Sequence, residues 1–83
     1  MGNGYTVYVL RSLRNGWFYI GMTDDLDRRV REHNRGYNRS TKGKGPFAVI
    51  HSEQFATRPE ARGREKHLKT TKGREWLRTK FPA

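Results

Sequence analysis

Tyr5-Thr6-Val7-Tyr8-Val9-Leu10, Asn15-Gly16 and Trp17-Phe18-Tyr19-Ile20-Gly21-Met22 place two runs of β-branched and aromatic residues on either side of a turn pair. Such residues fit the pleated, half-buried surface of a sheet, and Asn-Gly tolerates the positive φ of a tight turn. The spacing predicts a β-hairpin. Side chains alternate along strands, so an even-length loop places Tyr8 and Tyr19 on the same face.

Downstream, Thr23-Asp24-Asp25 offers an N-cap and an acidic first turn to a helix. Its apolar positions, Leu26 and Val30, stand four apart, and it fades near Arg35-Gly36. Gly36 to Gly45, rich in glycine and basic residues, reads as a loop. Pro46 to Phe55 reads as a third strand, and apolar residues on both parities imply burial on both faces. Thr57 caps a second helix that begins near Pro59 and runs to about Thr70, with Gly63 weakening it by ~1 kcal/mol relative to Ala. A last helix, Gly73 to Thr79, is anchored by Trp76 and Leu77 and packs back on the sheet. A three-stranded sheet cannot bury itself alone, so the expected class is α+β: a mainly antiparallel sheet flanked by helices, order β-β-α-β-α-α, one domain over 1–83. Trp17, Phe18, Phe47, Phe55 and Trp76 are assigned to its core, and His51 and His67 to structural or surface positions.

The chain has 83 residues, with 18 Lys and Arg against 8 Asp and Glu, a net +10. That excess attracts polyanions, and the absence of a basic amphipathic helix with a broad apolar face favours nucleic acid over a membrane surface. The protein contains no Cys, which excludes disulfides and thiolate metal sites, so any metal must sit on oxygen or imidazole. Met1-Gly2-Asn3-Gly4 with Thr6 fits the N-myristoylation pattern, but one chain without a second anchor binds membranes only marginally, and a flexible start is the preferred reading. No leader or long apolar stretch is present, so a soluble, cytoplasmic protein is expected.

Taken singly, Tyr8 and Tyr19 are core aromatics, Arg29 a solvated helix charge and Glu65 an i, i+4 partner of Lys69. Their conjunction carries more. Tyr8 closes Thr6-Val7-Tyr8, and Tyr19-Ile20-Gly21 begins 11 positions later. Arg29 follows Gly21 by eight residues, His33 lies one helical turn beyond Arg29, and Glu65 stands four residues after Ala61. In this arrangement the chain resembles the GIY-YIG nucleases, most closely the small single-domain bacterial type akin to the N-terminal nuclease domain found in excinuclease ABC. Thr6 and Val7 depart from the Gly and Ile of the first triplet. Met22 and Leu77 stand where several relatives carry Lys and Asn, and Lys69 or Lys72 is a possible substitute.

The resemblance implies a metal-dependent endonuclease that hydrolyses phosphodiester bonds, in DNA more than RNA, in a role akin to DNA repair. It implies Tyr8 as general base, Tyr19 lining the same pocket, Arg29 on the scissile phosphate and Glu65 as ligand of Mg²⁺ or Mn²⁺. His33 is left with three roles: orienting Tyr8, contacting phosphate or shuttling a proton. These residue types suit the reaction. A carboxylate suits Mg²⁺, which keeps most of its waters; a guanidinium offers a planar fork to phosphate; and a phenol becomes a base only where positive charge assists it. Arg28, Arg39, Lys42, Lys44, Arg62, Lys69 and Lys72 are expected to contact the nucleic-acid backbone. The segment Arg39 to Lys44 has a phosphate-binding composition but lacks P-loop spacing. The alternatives are a non-catalytic nucleic-acid-binding module of the same fold and a protein-interaction subunit; a targeting partner or a homodimer stays open.

Overall fold

The computed structural model describes residues 4–36 and 41–82. β1 (Tyr5–Ser12) and β2 (Phe18–Thr23) form the hairpin, and α1 (Leu26–Asn34) follows. β3 (Phe47–Phe55) returns to the sheet before α2 (Arg58–Leu68) and α3 (Thr71–Lys80). The element order and the α+β class are those the sequence predicts. β1 is the central strand, flanked antiparallel by β2 and β3.

Register decides what each helix covers. Tyr8 lies opposite Gly21 and Leu10 opposite Tyr19, so both tyrosines occupy one face, as expected. On that face Tyr8, Leu10 and Phe47 form a core closed by Leu26 and Val30 of α1. On the other, Val7, Val9, Phe18 and Ile20 pack against Ala61, Leu68 and Leu77 of α2 and α3. The central strand is therefore buried on both sides, and each such side chain contributes roughly 1.5–3 kcal/mol by leaving water.

β3 behaves differently from the sequence expectation. Its register against β1 shifts between Val9 and Leu10, which face His51 and Val49, and the extra residue Ile50 forms a bulge. The bulge reverses the parity of the strand. Phe47 joins the α1 side, while Phe55 packs against the α2/α3 side. Burial on both faces is not found, because Val49, Ser52 and Gln54 are exposed. The reason is length: a nine-residue helix rises ~1.5 Å per residue and cannot cover a nine-residue strand rising ~3.3 Å per residue.

Two of the five aromatics assigned to the core lie elsewhere. Trp17 is 67% exposed, since it precedes β2 at the hairpin end and Phe18 takes the inward position. Trp76 is 39% exposed and is flanked by the cations of Arg64 and Lys80. The helix ends also move. Asp25 caps α1 by accepting from the Arg28 amide, and Thr57 and Glu60 form a reciprocal capping box on α2. α2 stops at Leu68 rather than Thr70, because Thr70 turns outward to cap α3, accepting from the Gly73 amide at 3.1 Å. α3 consequently starts at Thr71, two residues earlier than expected. Gly73 permits the sharp corner: a Cβ there would lie 2.6 Å from the Leu68 Cα.

Candidate active site

The site is built around the outer edge of β2. Gly21 faces Tyr8 across the hairpin, and a Cβ on it would meet the Tyr8 ring at 2.7 Å. Without that atom, the phenol crosses the bare backbone of β2. Its hydroxyl lies 2.9 Å from Nε2 of His33, one turn beyond Arg29 on α1. Nδ1 of His33 lies 2.8 Å from the Thr41 hydroxyl, and His33 and Thr41 are both buried. In the neutral tautomer with hydrogen on Nδ1, Tyr8 donates to Nε2 and Thr41 accepts from Nδ1, so both ring nitrogens are satisfied.

Electrostatics favour the neutral imidazole. Burial, reinforced by the nearby Arg29 charge, holds His33 below the usual imidazole range, against the weaker opposing pull of Glu32. Burial also pushes the Tyr8 hydroxyl above the usual phenol range, and the Arg29 guanidinium beside it only partly offsets this. Glu65 and Glu32 add to the upward push, which sets Glu65 within electrostatic reach of the phenol. Arg29 is itself held more firmly protonated by its contact with Tyr8 and by Glu32, whose Oε1 accepts at 3.0 Å.

Glu65 projects from α2, the helix packed on β1 and β2, and is 6% exposed. Its Oε1 accepts from Arg62 at 2.8 Å and its Oε2 from Lys69 at 3.2 Å. Both cations are on solvent-facing side chains that are about half exposed. Among the described residues no three His, Asp or Glu side chains gather to hold an ion. The donor set nonetheless fits a hard cation such as Mg²⁺ that takes a single protein carboxylate and keeps its waters, since each Glu65 oxygen retains a second lone pair.

A cleft of about 330 Å³ joins groups from both faces of the sheet. Tyr8, Tyr19 and His33 enter it from the α1 side, and Lys69 and Arg74 from the α2/α3 side. Tyr19 stands edge-on to Phe47 at 5.4 Å, with the Lys44 ammonium 5.8 Å above its ring. Arg29 touches Tyr8 but lines a different hollow, with Arg28 and Arg58. Thus two phenols and the imidazole share one cleft, Arg29 contacts Tyr8 without lining that cleft, and Glu65, within electrostatic reach of the phenol, does not line it either.

The basic residues expected on the backbone path divide. Arg28 is exposed but paired with Asp24 and Glu32. Lys42 lines a hollow with Arg14 and Arg35 beside His33. Lys72 lies apart from the cleft, against His67 and Trp76, and Arg39 falls outside the described residues. Of the two lysines that could replace a missing family Lys, the cleft receives Lys69. Leu77 is fully buried in the core and has no part in the site. His51 is structural, its Nε2 2.7 Å from Glu53. Sequence reasoning missed Thr41, which looks like any loop hydroxyl until burial is known, and Arg74, one of many helical basic residues.

Similarity to known proteins bears on the family and the fold. Residues 4–79 match the GIY-YIG catalytic domain. A UPF0213 protein of Haloquadratum walsbyi is 38% identical over 84% of this chain and 79% of its own length. Another, from Halobacterium salinarum, is 41% identical over 76% of this chain and 82% of its own. The solution NMR structure of a UPF0213 protein from Bacillus halodurans superposes with a TM-score of 0.57 at 31% identity, covering 94% of this chain and 85% of that one. With the domain match spanning nearly the whole sequence and the fold shared with a relative of known structure, the chain belongs to the GIY-YIG catalytic-domain family.

Proposed function

We propose that the protein is a metal-dependent endonuclease that hydrolyses phosphodiester bonds of nucleic acid, DNA in preference to RNA, in the cytoplasm. The observation that carries this reading is the hydrogen-bonded chain from Thr41 through His33 to the Tyr8 hydroxyl, with Arg29 beside that hydroxyl. Family membership supports nuclease chemistry in general; the roles below are argued from the side chains.

Tyr8 is protonated at rest, because burial raises its pKa. It serves as a base by relay: the phenol oxygen takes a proton from the attacking water while its own proton passes to Nε2 of His33. The depressed pKa of His33 keeps that nitrogen free to accept at neutral pH. Thr41 orients the imidazole from its other side. Arg29, fully charged, meets the non-bridging oxygens of the scissile phosphate as negative charge grows on them. Tyr19 and Lys69 line the remainder of the cleft and position the backbone. Glu65 would hold a divalent cation, Mg²⁺ or Mn²⁺, which when bound would supply charge stabilisation to the phosphate and the leaving oxygen. Arg62 and Lys69 release Glu65 to that role by turning to the incoming phosphates, which a half-exposed position allows.

The engagement of both Glu65 oxygens by cations also favours a second reading, a non-catalytic nucleic-acid-binding module. Cleavage separates the two. Nicking of plasmid and structured oligonucleotides that requires Mg²⁺ or Mn²⁺ and disappears in Glu65→Ala and Arg29→Ala supports the nuclease. Binding without nicking under any metal, or wild-type nicking by both variants, removes it.

A further inference from the structure

A second hollow, of about 570 Å³, opens beside the Tyr8 cleft and shares Trp17, Phe18 and Arg74 with it. It continues to Arg78 and Phe81 of the C-terminal segment. Its wall is prebuilt. The Arg11 guanidinium lies 4.8 Å above the Phe18 ring and donates to the Pro82 and Phe81 carbonyls, tying the end of the chain to β1. Among the described residues, three arginines and no carboxylate line this hollow.

Trp17 stands at the junction of the two. Its backbone is fixed on both sides, its amide donating to Asn15 Oδ1 at 2.8 Å and its carbonyl accepting from Ser12 at 3.0 Å. The residue is 67% exposed, and its ring makes no ring or cation contact among the described residues. Arg78 is likewise exposed and without an ion-pair or hydrogen-bond partner among the described residues. A rigidly mounted indole with an open face, followed by unpaired guanidinium, is the combination that holds a nucleobase by stacking and its phosphate by charge.

We infer that Trp17, Arg74 and Arg78 form a subsite for an unpaired nucleotide flanking the scissile phosphate, so that the enzyme selects nucleic acid with a single-stranded segment beside the cut. This deepens the nuclease reading and rests on it for the position of the scissile phosphate. An unpaired nucleotide is required because a base inside a duplex has both faces covered by its neighbours. Arg74 borders both hollows and donates to the Phe18 carbonyl at 3.4 Å, so it carries the backbone from one to the other.

The test uses the full chain with Trp76→Phe, which leaves Trp17 as the sole tryptophan. Its fluorescence is titrated in EDTA with an eight-nucleotide oligothymidine and with a blunt duplex. Saturable quenching by the single strand alone is expected. Trp17→Ala should weaken single-strand binding roughly 5- to 150-fold, the loss of one base–aromatic stack, while Trp17→Phe retains most of it and duplex binding is unchanged. Arg78→Ala should reduce the salt slope of single-strand binding by about 0.7. Equal quenching by both forms, no quenching, or wild-type single-strand affinity in Trp17→Ala overturns the subsite. Cleavage of flapped and fully paired duplex is measured in parallel. If Trp17→Ala cuts both as the parent does, the subsite falls and the nuclease reading stands; if binding behaves as expected but nothing is cut, the nuclease reading falls.

Discussion

A Cβ added to Gly21 would lie 2.5 Å from the hydroxyl oxygen of Tyr8. Side-chain atoms do not tolerate that approach, so the phenol must move. Gly21→Ala is expected to keep the fold, by circular dichroism, and to lose about 100-fold in kcat, the cost of misplacing a reacting group by roughly 1 Å. Wild-type turnover in this variant would separate Tyr8 from the chemistry.

Thr41 borders the cleft, and its hydroxyl accepts from His33, so the role assigned to it is to position that imidazole. Thr41→Val removes the acceptor at nearly constant volume and is expected to lower kcat about tenfold, the loss of roughly 1.4 kcal/mol of orientation. KM should hardly change, and Thr41→Ser should restore the rate. An equal fall for both variants would assign Thr41 to loop packing alone.

His33 also sets a pH dependence. Its folded pKa lies below the unfolded one, so the unfolded chain binds more protons across the interval between them. Stability therefore rises with pH through that interval and falls as acid takes pH below the ordinary imidazole value of ~6.5. Cleavage should follow the same direction, weak where His33 is protonated and level at neutral pH. Urea midpoints and initial rates measured from pH 5 to 8 check this, and His33→Asn should flatten its share of both profiles.

Glu65→Gln is expected to abolish metal-dependent cutting and yet bind nucleic acid more tightly in EDTA, because Arg62 and Lys69 lose the anion they now face. Filter binding at several salt concentrations reads the second effect. Weaker binding in this variant would mean that Glu65 organises the basic face by pairing with it.

At the α2–α3 corner, Gly73→Ala gains about 1 kcal/mol of helix propensity but drives a methyl into the Leu68 backbone. The net loss is expected to be about 1–3 kcal/mol, a fall of roughly 4–8 °C in Tm for each kcal/mol at this chain length. Thermal unfolding by circular dichroism measures it.

The hairpin, the helix caps and the shared face of Tyr8 and Tyr19 are legible because each depends on residues close in sequence or on a two-residue period. The bulge at Ile50 is not, since it is set by pairing between strands far apart in the chain. Residue type assigns Trp17 inward, whereas its place just outside β2 leaves the ring uncovered. In the site, motif spacing singles out Tyr8, His33 and Glu65, but not every partner they take. Thr41 enters through the fold of a loop, and of the two cations on Glu65 the i, i+4 spacing gives Lys69, whereas Arg62, at i, i+3, is one of several basic residues on that helix.

Both neighbours of Tyr8 on the central strand, Val7 and Val9, are wholly sealed within the opposite core. The backbone that carries the phenol is thus anchored from behind, and no hinge or local fraying can retract it. Its amide should exchange hydrogen with solvent only when the whole sheet comes apart, so loss of this tyrosine's geometry and loss of the native state become a single event.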